Sequence, residues 1–310
     1  MSAEVRLATE LAGVVLPTPI TSASGCFGSG AEIDRFHDVT DLGAIVVKSI
    51  TLEPCQGLPT PRMAETPSGM LNAIGLQNPG LEAWVANDLP WLAERGARVI
   101  ASVAGSSVED FRLVARELTR LGGDTIVALE VNLSCPNVED RGLVFACSAP
   151  DSAEVVRAVA REARVPVLAK LTSDVTDIVE IARAVVAAGA DGLTLINTLL
   201  GMAIDPETGR PELANTYGGL SGPAIRPVAV RNVHQVHRAL PEVPILGCGG
   251  VRTVTDVVQF LRAGASAVAV GTSTFVDPFI GARLAHELRA WCAERGIADV
   301  RELIGATRPR

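Results

Sequence analysis

The sequence predicts an α/β chain folded as a (β/α)₈ barrel of the TIM type, with a small N-terminal hairpin and long loops on the C-terminal face. Three observations carry that expectation. Eight short apolar runs alternate with amphipathic stretches along the 310 residues, as parallel strands buried on both faces do when helices separate them. Two helical stretches end in the same Ala-Gly-Ala triplet, at Ala188–Ala190 and Ala263–Ala265, and each turns straight into an apolar run. No GxGxxG loop follows an early strand: GCFGSG at Gly25–Gly30 lacks that order, which disfavours a doubly wound dinucleotide fold.

In chain order, Val5–Pro17 reads as a hairpin flooring the barrel. Strands are predicted at Ile20–Gly25, Ala44–Lys48, Val99–Val103, Ile126–Asn132, Val167–Leu171, Leu193–Asn197, Pro244–Cys248 and Ala267–Gly271. The stretch Val175–Val186 places apolar residues at 175, 178, 179, 182, 185 and 186, a 3.6-residue period. Thr253 with Asp256 reads as a capping box opening a helix to Ala263. Connections Ser49–Pro79, Leu133–Pro150 and Thr198–Gly222 are too long for simple turns. All three leave the C-terminal ends of strands, where barrel enzymes place their chemistry. No linker or low-complexity tract appears, so residues 1–310 read as one domain.

Composition excludes several function classes. The formal charge is −8 and no basic run is present, so phosphate-backbone binding is not expected and no nucleic-acid partner is predicted. No apolar stretch reaches 18 residues, so no membrane span is predicted. Met1–Leu16 lacks a basic segment followed by an apolar run, which argues against a signal peptide. The six cysteines (26, 55, 135, 147, 248 and 292) form no CxxC pair; this fits reduced thiols in a cytoplasmic protein and neither a zinc site nor a cluster, so no metal site is predicted.

Only two of the 27 basic residues are lysines, Lys48 and Lys170. Both fall at strand ends, as do Asn132 and Asn197. Individually each reads equally as a solvated rim residue; together, at one barrel mouth, they read as a site. GCGGV at Gly247–Val251 follows strand seven, and Gly271-Thr272 follows strand eight. Bare amides there form the usual barrel cup for a phosphate, without saying what bears it. Cys135 sits three residues past a strand end on a long loop. A thiol there serves as a general base when its surroundings favour thiolate, or is an inert buried thiol. His37, His234, His237 and His286 fall in helical stretches, which leaves a Cys–His hydrolase the weaker reading. GMLNAIGLQNPG at Gly69–Gly80 presents Asn72, Gln77 and Asn78, amides suited to reading a small ring or to a glycine-rich turn.

Taken together, these segments resemble the class 1 dihydroorotate dehydrogenases over nearly the whole chain. The resemblance rests on ASGCFG (23–28), VVKSIT (46–51), MLNAIGLQNPG (70–80), EVNLSCPN (130–137), INTLLGM (196–202), GGLSGPA (218–224), GCGGV and AVAVGT. MLNAIGLQNPG and GGLSGPA are similar to subfamily 1B. The resemblance implies FMN, with its phosphate on Gly249, Gly250, Gly271 and Thr272, and Ser24, Ser49, Ser102, Asn132, Lys170, Ile196 and Gly222 lining the rest. It puts Lys48 against both flavin and the substrate carboxylate. It holds the pyrimidine with Asn72, Asn132, Asn197 and Thr198 and the backbone of Met70, Leu71, Ala73, Ile74, Gly75 and Leu76. It makes Cys135 the base that takes the C5 proton of dihydroorotate while C6 yields a hydride to FMN.

The resemblance further implies a homodimer joined by two electron-transfer subunits carrying FAD and a [2Fe-2S] cluster, a heterotetramer that passes electrons to NAD. Where the family usually has asparagine after strand three, this chain has Ser102, a shorter donor that predicts weaker flavin retention. Other readings are a class 1A-like homodimer using fumarate, a flavin reductase of uracil-type rings, and a phosphate-ligand-binding barrel without redox activity.

Overall fold

The computed structural model describes residues 5–134, 136–137 and 143–308. Eight parallel strands form its centre: β1 (Ile20–Ser22), β2 (Ile45–Val46), β3 (Val99–Val103), β4 (Ile126–Asn132), β5 (Val167–Leu171), β6 (Gly192–Leu195), β7 (Ile245–Cys248) and β8 (Ala267–Val270). The hydrogen-bonded order is β1-β8-β7-β6-β5-β4-β3-β2. A bridge between Thr21 and Ala44 closes β1 onto β2. The predicted barrel is therefore present, with several strands a few residues shorter than predicted. Every residue of β3 and of β5 is buried, because the inner face meets the barrel core and the outer face meets helices.

Alternate residues fill the interior. Ala44, Val46, Ile100, Ala128, Leu168, Leu246 and Ala267 form one apolar cluster, and Leu11 and Leu16 join it. Those two leucines belong to the hairpin Thr9–Leu11 and Val14–Leu16. The hairpin thus plugs the N-terminal end, as its position in the chain predicts.

Among the described residues seven helices wrap the outside: α1 (Leu81–Glu94), α2 (Val108–Leu121), α3 (Ala149–Glu162), α4 (Ile178–Ala187), α5 (Arg226–Ala239), α6 (Val254–Ala263) and α7 (Ile280–Ala293). The predicted capping box of α6 is present: Thr253 and Asp256 each accept from the other's backbone amide. Asp177 caps α4, so that helix starts three residues later than its apolar period suggests. Gly264 takes φ +118 and Gly189 φ +113, the left-handed turns that let Ala-Gly-Ala stop each helix. Between β1 and β2 the chain makes only short 3₁₀ turns at Ile33–Arg35 and Val39–Asp41. His37 lies between those turns, not in a helix as predicted.

Two of the long connections are not irregular. Met63–Thr66 and Gly69–Asn72, from the β2–α1 loop, pair with Leu199–Gly201 and Gly218–Ser221, from the β6–α5 loop. This four-stranded antiparallel sheet lies over the C-terminal mouth, with its own small core of Leu71, Ala73 and Leu213.

Candidate active site

Strand ends bring the predicted residues to one place. Ser24 and Ser49 lie just past β1 and β2. Ser102 is in β3, Asn132 closes β4 and Lys170 is in β5. Ile196, Asn197 and Thr198 follow β6. Their side chains form a continuous polar line. The Ser24 and Ser49 hydroxyls are 3.4 Å apart, and Ser49 Oγ is 3.0 Å from Ser102 Oγ. Asn132 Nδ2 donates to Ser49 Oγ at 3.4 Å, and Asn197 Nδ2 donates to Asn132 Oδ1 at 3.2 Å. Asn197 Oδ1 in turn accepts from the Thr198 amide at 2.8 Å. Ser102 is fully buried, so it acts on the mouth through Ser49.

One layer deeper stands an ion pair. Lys170 Nζ donates to Glu130 Oε1 at 3.3 Å, and Thr194 Oγ1 donates to Glu130 Oε2 at 2.9 Å. Both charged side chains are buried. Burial works against the ammonium, but the charge and hydrogen bond of Glu130 outweigh it and raise the Lys170 pKa above the ordinary lysine value. Two thiols border the same space. Burial pushes Cys26 up to about 12, with Cys248 adding, against the opposing pull of Lys170 and Lys48. Burial likewise raises Cys248. Both thiols are neutral near pH 7.

The connections after β6, β7 and β8 form a glycine arc. Gly249 has φ +132 and Gly250 φ +75, conformations that a side chain strains. A Cβ on Gly250 would lie 2.7 Å from the Gly222 carbonyl oxygen and 2.9 Å from Arg226 Cβ. Arg226 at the start of α5 pairs with Asp256 of α6 at 2.8 Å, tying the helices under the arc. Gly271 is different: its φ is not left-handed, and a Cβ there would meet Ala23 Cβ at 3.4 Å and Cys26 Sγ at 3.5 Å. Among the described residues, the amides of Gly249, Gly250, Gly271 and Thr272 donate to no other group of the chain. Thr272 Oγ1 donates to Ser221 Oγ at 2.8 Å, joining the arc to the sheet above.

In that sheet, Met70, Leu71 and Asn72 occupy the strand Gly69–Asn72, and Ala73–Leu76 follow it. Leu71 and Ala73 turn their side chains into the small core, which leaves backbone for any ligand. Asn72 Nδ2 donates to the Gly219 carbonyl at 3.1 Å. Gln77 and Asn78 prove structural: Gln77 accepts from Arg62 at 2.6 Å, while Asn78 ties together Thr51, Leu76 and Gly80. Lys48 follows β2, and its charge acts on Cys26. Cys135 lies outside the described residues.

A model of the family described as dihydroorotate dehydrogenase matches residues 6–291. The chain belongs to the dihydroorotate dehydrogenase family. A Geobacillus kaustophilus (strain HTA426) protein named dihydroorotate dehydrogenase B (NAD(+)), catalytic subunit, is 52% identical over 300 residues, covering 97% of this chain and 95% of its own length. A Bacillus caldolyticus protein of the same name is 51% identical over the same shares. A crystal structure of the Eimeria tenella dihydroorotate dehydrogenase in complex with ferulenol superposes with a TM-score of 0.80 at 24% identity, covering 97% of this chain and 88% of its own. That last likeness shows the fold.

Members of the family oxidise dihydroorotate, and the arrangement suits that chemistry: a cation for charge that develops on reduction, amides for a planar ring and bare backbone for a phosphate. Sequence reasoning missed Glu130, Thr194 and Cys26. Glu130 carries a signal: it lies two residues before Asn132 on the same strand and therefore on the same face.

Proposed function

We propose that this chain is the FMN-bearing catalytic subunit of an NAD-linked dihydroorotate dehydrogenase, a single barrel domain that oxidises (S)-dihydroorotate to orotate in pyrimidine synthesis. The observation that carries the reading is the pairing of a buried ammonium, Lys170, with an arc of four unengaged amides at one barrel mouth in a chain of this family. The residues present fit FMN. The amides of Gly249, Gly250, Gly271 and Thr272 suit its phosphate. The Lys170 ammonium suits a ring that turns anionic on reduction. Ser24, Ser49, Asn132, Ile196 and Gly222 line the remainder, with Ser102 behind Ser49.

When bound, FMN supplies a two-electron acceptor for the hydride leaving C6. The chain's own residues do the rest. Lys48 binds the substrate carboxylate. Asn72, Asn132, Asn197 and Thr198, with the backbone of Met70–Leu76, hold the ring so that its C5 proton faces the base. Cys135 takes that proton; a positioned base contributes about 10²–10⁴-fold. The four-stranded sheet covers the mouth, excludes water and keeps the developing charge near Lys170.

Electrons leave through a partner. The relatives' name, catalytic subunit, supports a separate electron-transfer subunit. We assign FAD and a [2Fe-2S] cluster to that subunit, two of which flank a homodimer of this chain. Among the described residues no helix is long and apolar enough to cross a membrane, and no cluster of metal ligands is found. We assign the enzyme to the cytoplasm. Acceptor assays test the reading. The isolated, FMN-loaded chain should oxidise dihydroorotate with an artificial dye but turn over slowly with NAD. Rapid NAD reduction by this chain alone, or fumarate as its efficient acceptor, would overturn the partner assignment.

A further inference from the structure

Glu130 is the deepest charged group at the mouth, and neither substrate nor cofactor binding uses it. It is almost fully buried, at 1% exposure. Its position is fixed from two sides: Thr194 on β6 holds one carboxylate oxygen at 2.9 Å and Lys170 on β5 meets the other at 3.3 Å. Lys170 is in register with Asn132 on one side and Thr194 on the other, so the three side chains span β4, β5 and β6. A buried carboxylate is costly unless paired. Nothing in sheet packing calls for one here, since the layer beneath is filled by Ala128, Leu168 and Leu246.

The groups facing Lys170 decide what Glu130 does. They are the Cys248 thiol at the end of β7, the Cys26 thiol after β1, and Glu130 itself, with the charge of Lys48 acting on Cys26. The two thiols are neutral and Lys48 is a like charge. Glu130 is therefore the one anion the described chain places against the Lys170 ammonium. Without a counter-ion a buried lysine loses its proton readily; documented cases fall to about 5–6.

We propose that Glu130 is a positioning residue whose carboxylate, pinned by Thr194, keeps Lys170 permanently charged and fixed, so that the cation is in place before the ring is reduced. This rests on the reading of Lys170 as a flavin residue given above. It has a proton balance. With Lys170 already charged, two electrons enter the ring with one proton from water. With Lys170 neutral, reduction draws a second proton, which goes to Nζ.

The test is the midpoint potential of the FMN-loaded protein against pH, measured by spectroelectrochemistry between pH 7 and 9. For a two-electron couple a tenfold change is 29.6 mV. The unaltered protein should therefore lose about 30 mV per pH unit, one proton per two electrons, and Glu130→Gln should lose about twice that. A Glu130→Gln line parallel to that of the unaltered protein overturns the proposal. Should Glu130→Gln fail to fold, Thr194→Val frees one carboxylate oxygen and should steepen the slope by a smaller amount; an unchanged slope there overturns the proposal equally. Lys170→Ala separates the two ideas. If it leaves the potential untouched, the assignment of Lys170 to the flavin fails; if it lowers the potential while Glu130→Gln matches the unaltered protein, only the role of Glu130 fails.

Discussion

Gly271→Ala and Gly250→Ala put the phosphate seat to a paired test, because the structure gives them opposite costs. At Gly271 the backbone is not left-handed, and an added Cβ finds contacts at 3.4 and 3.5 Å, ordinary van der Waals distances. The chain leaves room for that methyl group, so Gly271→Ala should lose less stability without FMN than Gly250→Ala. A phosphate seated over the Gly271 and Thr272 amides, as proposed, would be pushed away from them by the added methyl group. Losing one hydrogen bond to a charged group costs about 1.5–3 kcal/mol, and about 1.4 kcal/mol is tenfold in affinity. FMN binding should thus weaken by roughly ten- to a hundredfold.

At Gly250, φ is +75 and the Cβ would strike the Gly222 carbonyl at 2.7 Å and the Arg226 nitrogen at 3.0 Å, both backbone atoms. Left-handed strain of about 1–2 kcal/mol and overpacking of about 1–3 kcal/mol then fall on the fold itself. Gly209→Ala, also left-handed at φ +68 but with nothing within 4 Å, should show the strain alone. Thermal melts of FMN-free protein and titration of FMN by fluorescence quenching read both quantities. The reasoning is refuted if Gly271→Ala binds FMN like the unaltered protein. It is also refuted if Gly271→Ala melts as early as Gly250→Ala.

The remaining expectations concern individual side chains. Cys135→Ala should stay yellow and lose about 10²–10⁴-fold in kcat, as loss of a general base does; near-normal steady-state turnover removes Cys135 from that role. Lys48→Ala should weaken orotate binding, read by the shift of the flavin absorption band on titration, and unchanged affinity counts against the carboxylate contact. Ser102→Asn should tighten FMN by restoring an amide donor. Unchanged binding would mean that the Ser49–Ser102 pair, 3.0 Å apart, already fills that place. Cys26, with its pKa pushed up to about 12, has a thiolate fraction on the order of 10⁻⁴ at pH 8. Iodoacetamide should label exposed Cys147 well before Cys26, as peptide mass spectrometry would show, and early labelling of Cys26 contradicts its environment.

Most of the barrel was legible because its signals are local. Val99–Val103 and Val167–Leu171 are apolar runs, each broken by one polar residue, Ser102 and Lys170, and each Ala-Gly-Ala stop encodes a helix end in three residues. The sheet over the mouth was not legible. Its central pairing joins Gly69–Asn72 to Gly218–Ser221 across nearly half of the chain, and GGLS carries neither alternation nor β-branching. The first connection breaks the pattern too, replacing a helix by 3₁₀ turns around His37. At the site, strand-end residues such as Lys48, Asn132, Lys170 and Asn197 stood out by position. Gln77 and Asn78 read equally as ligand amides or as part of a turn, because a hydrogen-bonded turn and a binding loop share one composition; the structure shows the turn. Glu130 escaped notice because a carboxylate inside an apolar strand announces its partner only once β5 and β6 lie alongside.

The most direct measurement is the absorption spectrum of the purified chain, recorded without oxygen before and after addition of dihydroorotate. A yellow protein whose visible flavin band bleaches on mixing is the predicted result. A colourless protein that cannot be made yellow with FMN, or a yellow one that dihydroorotate leaves unbleached, would contradict the account.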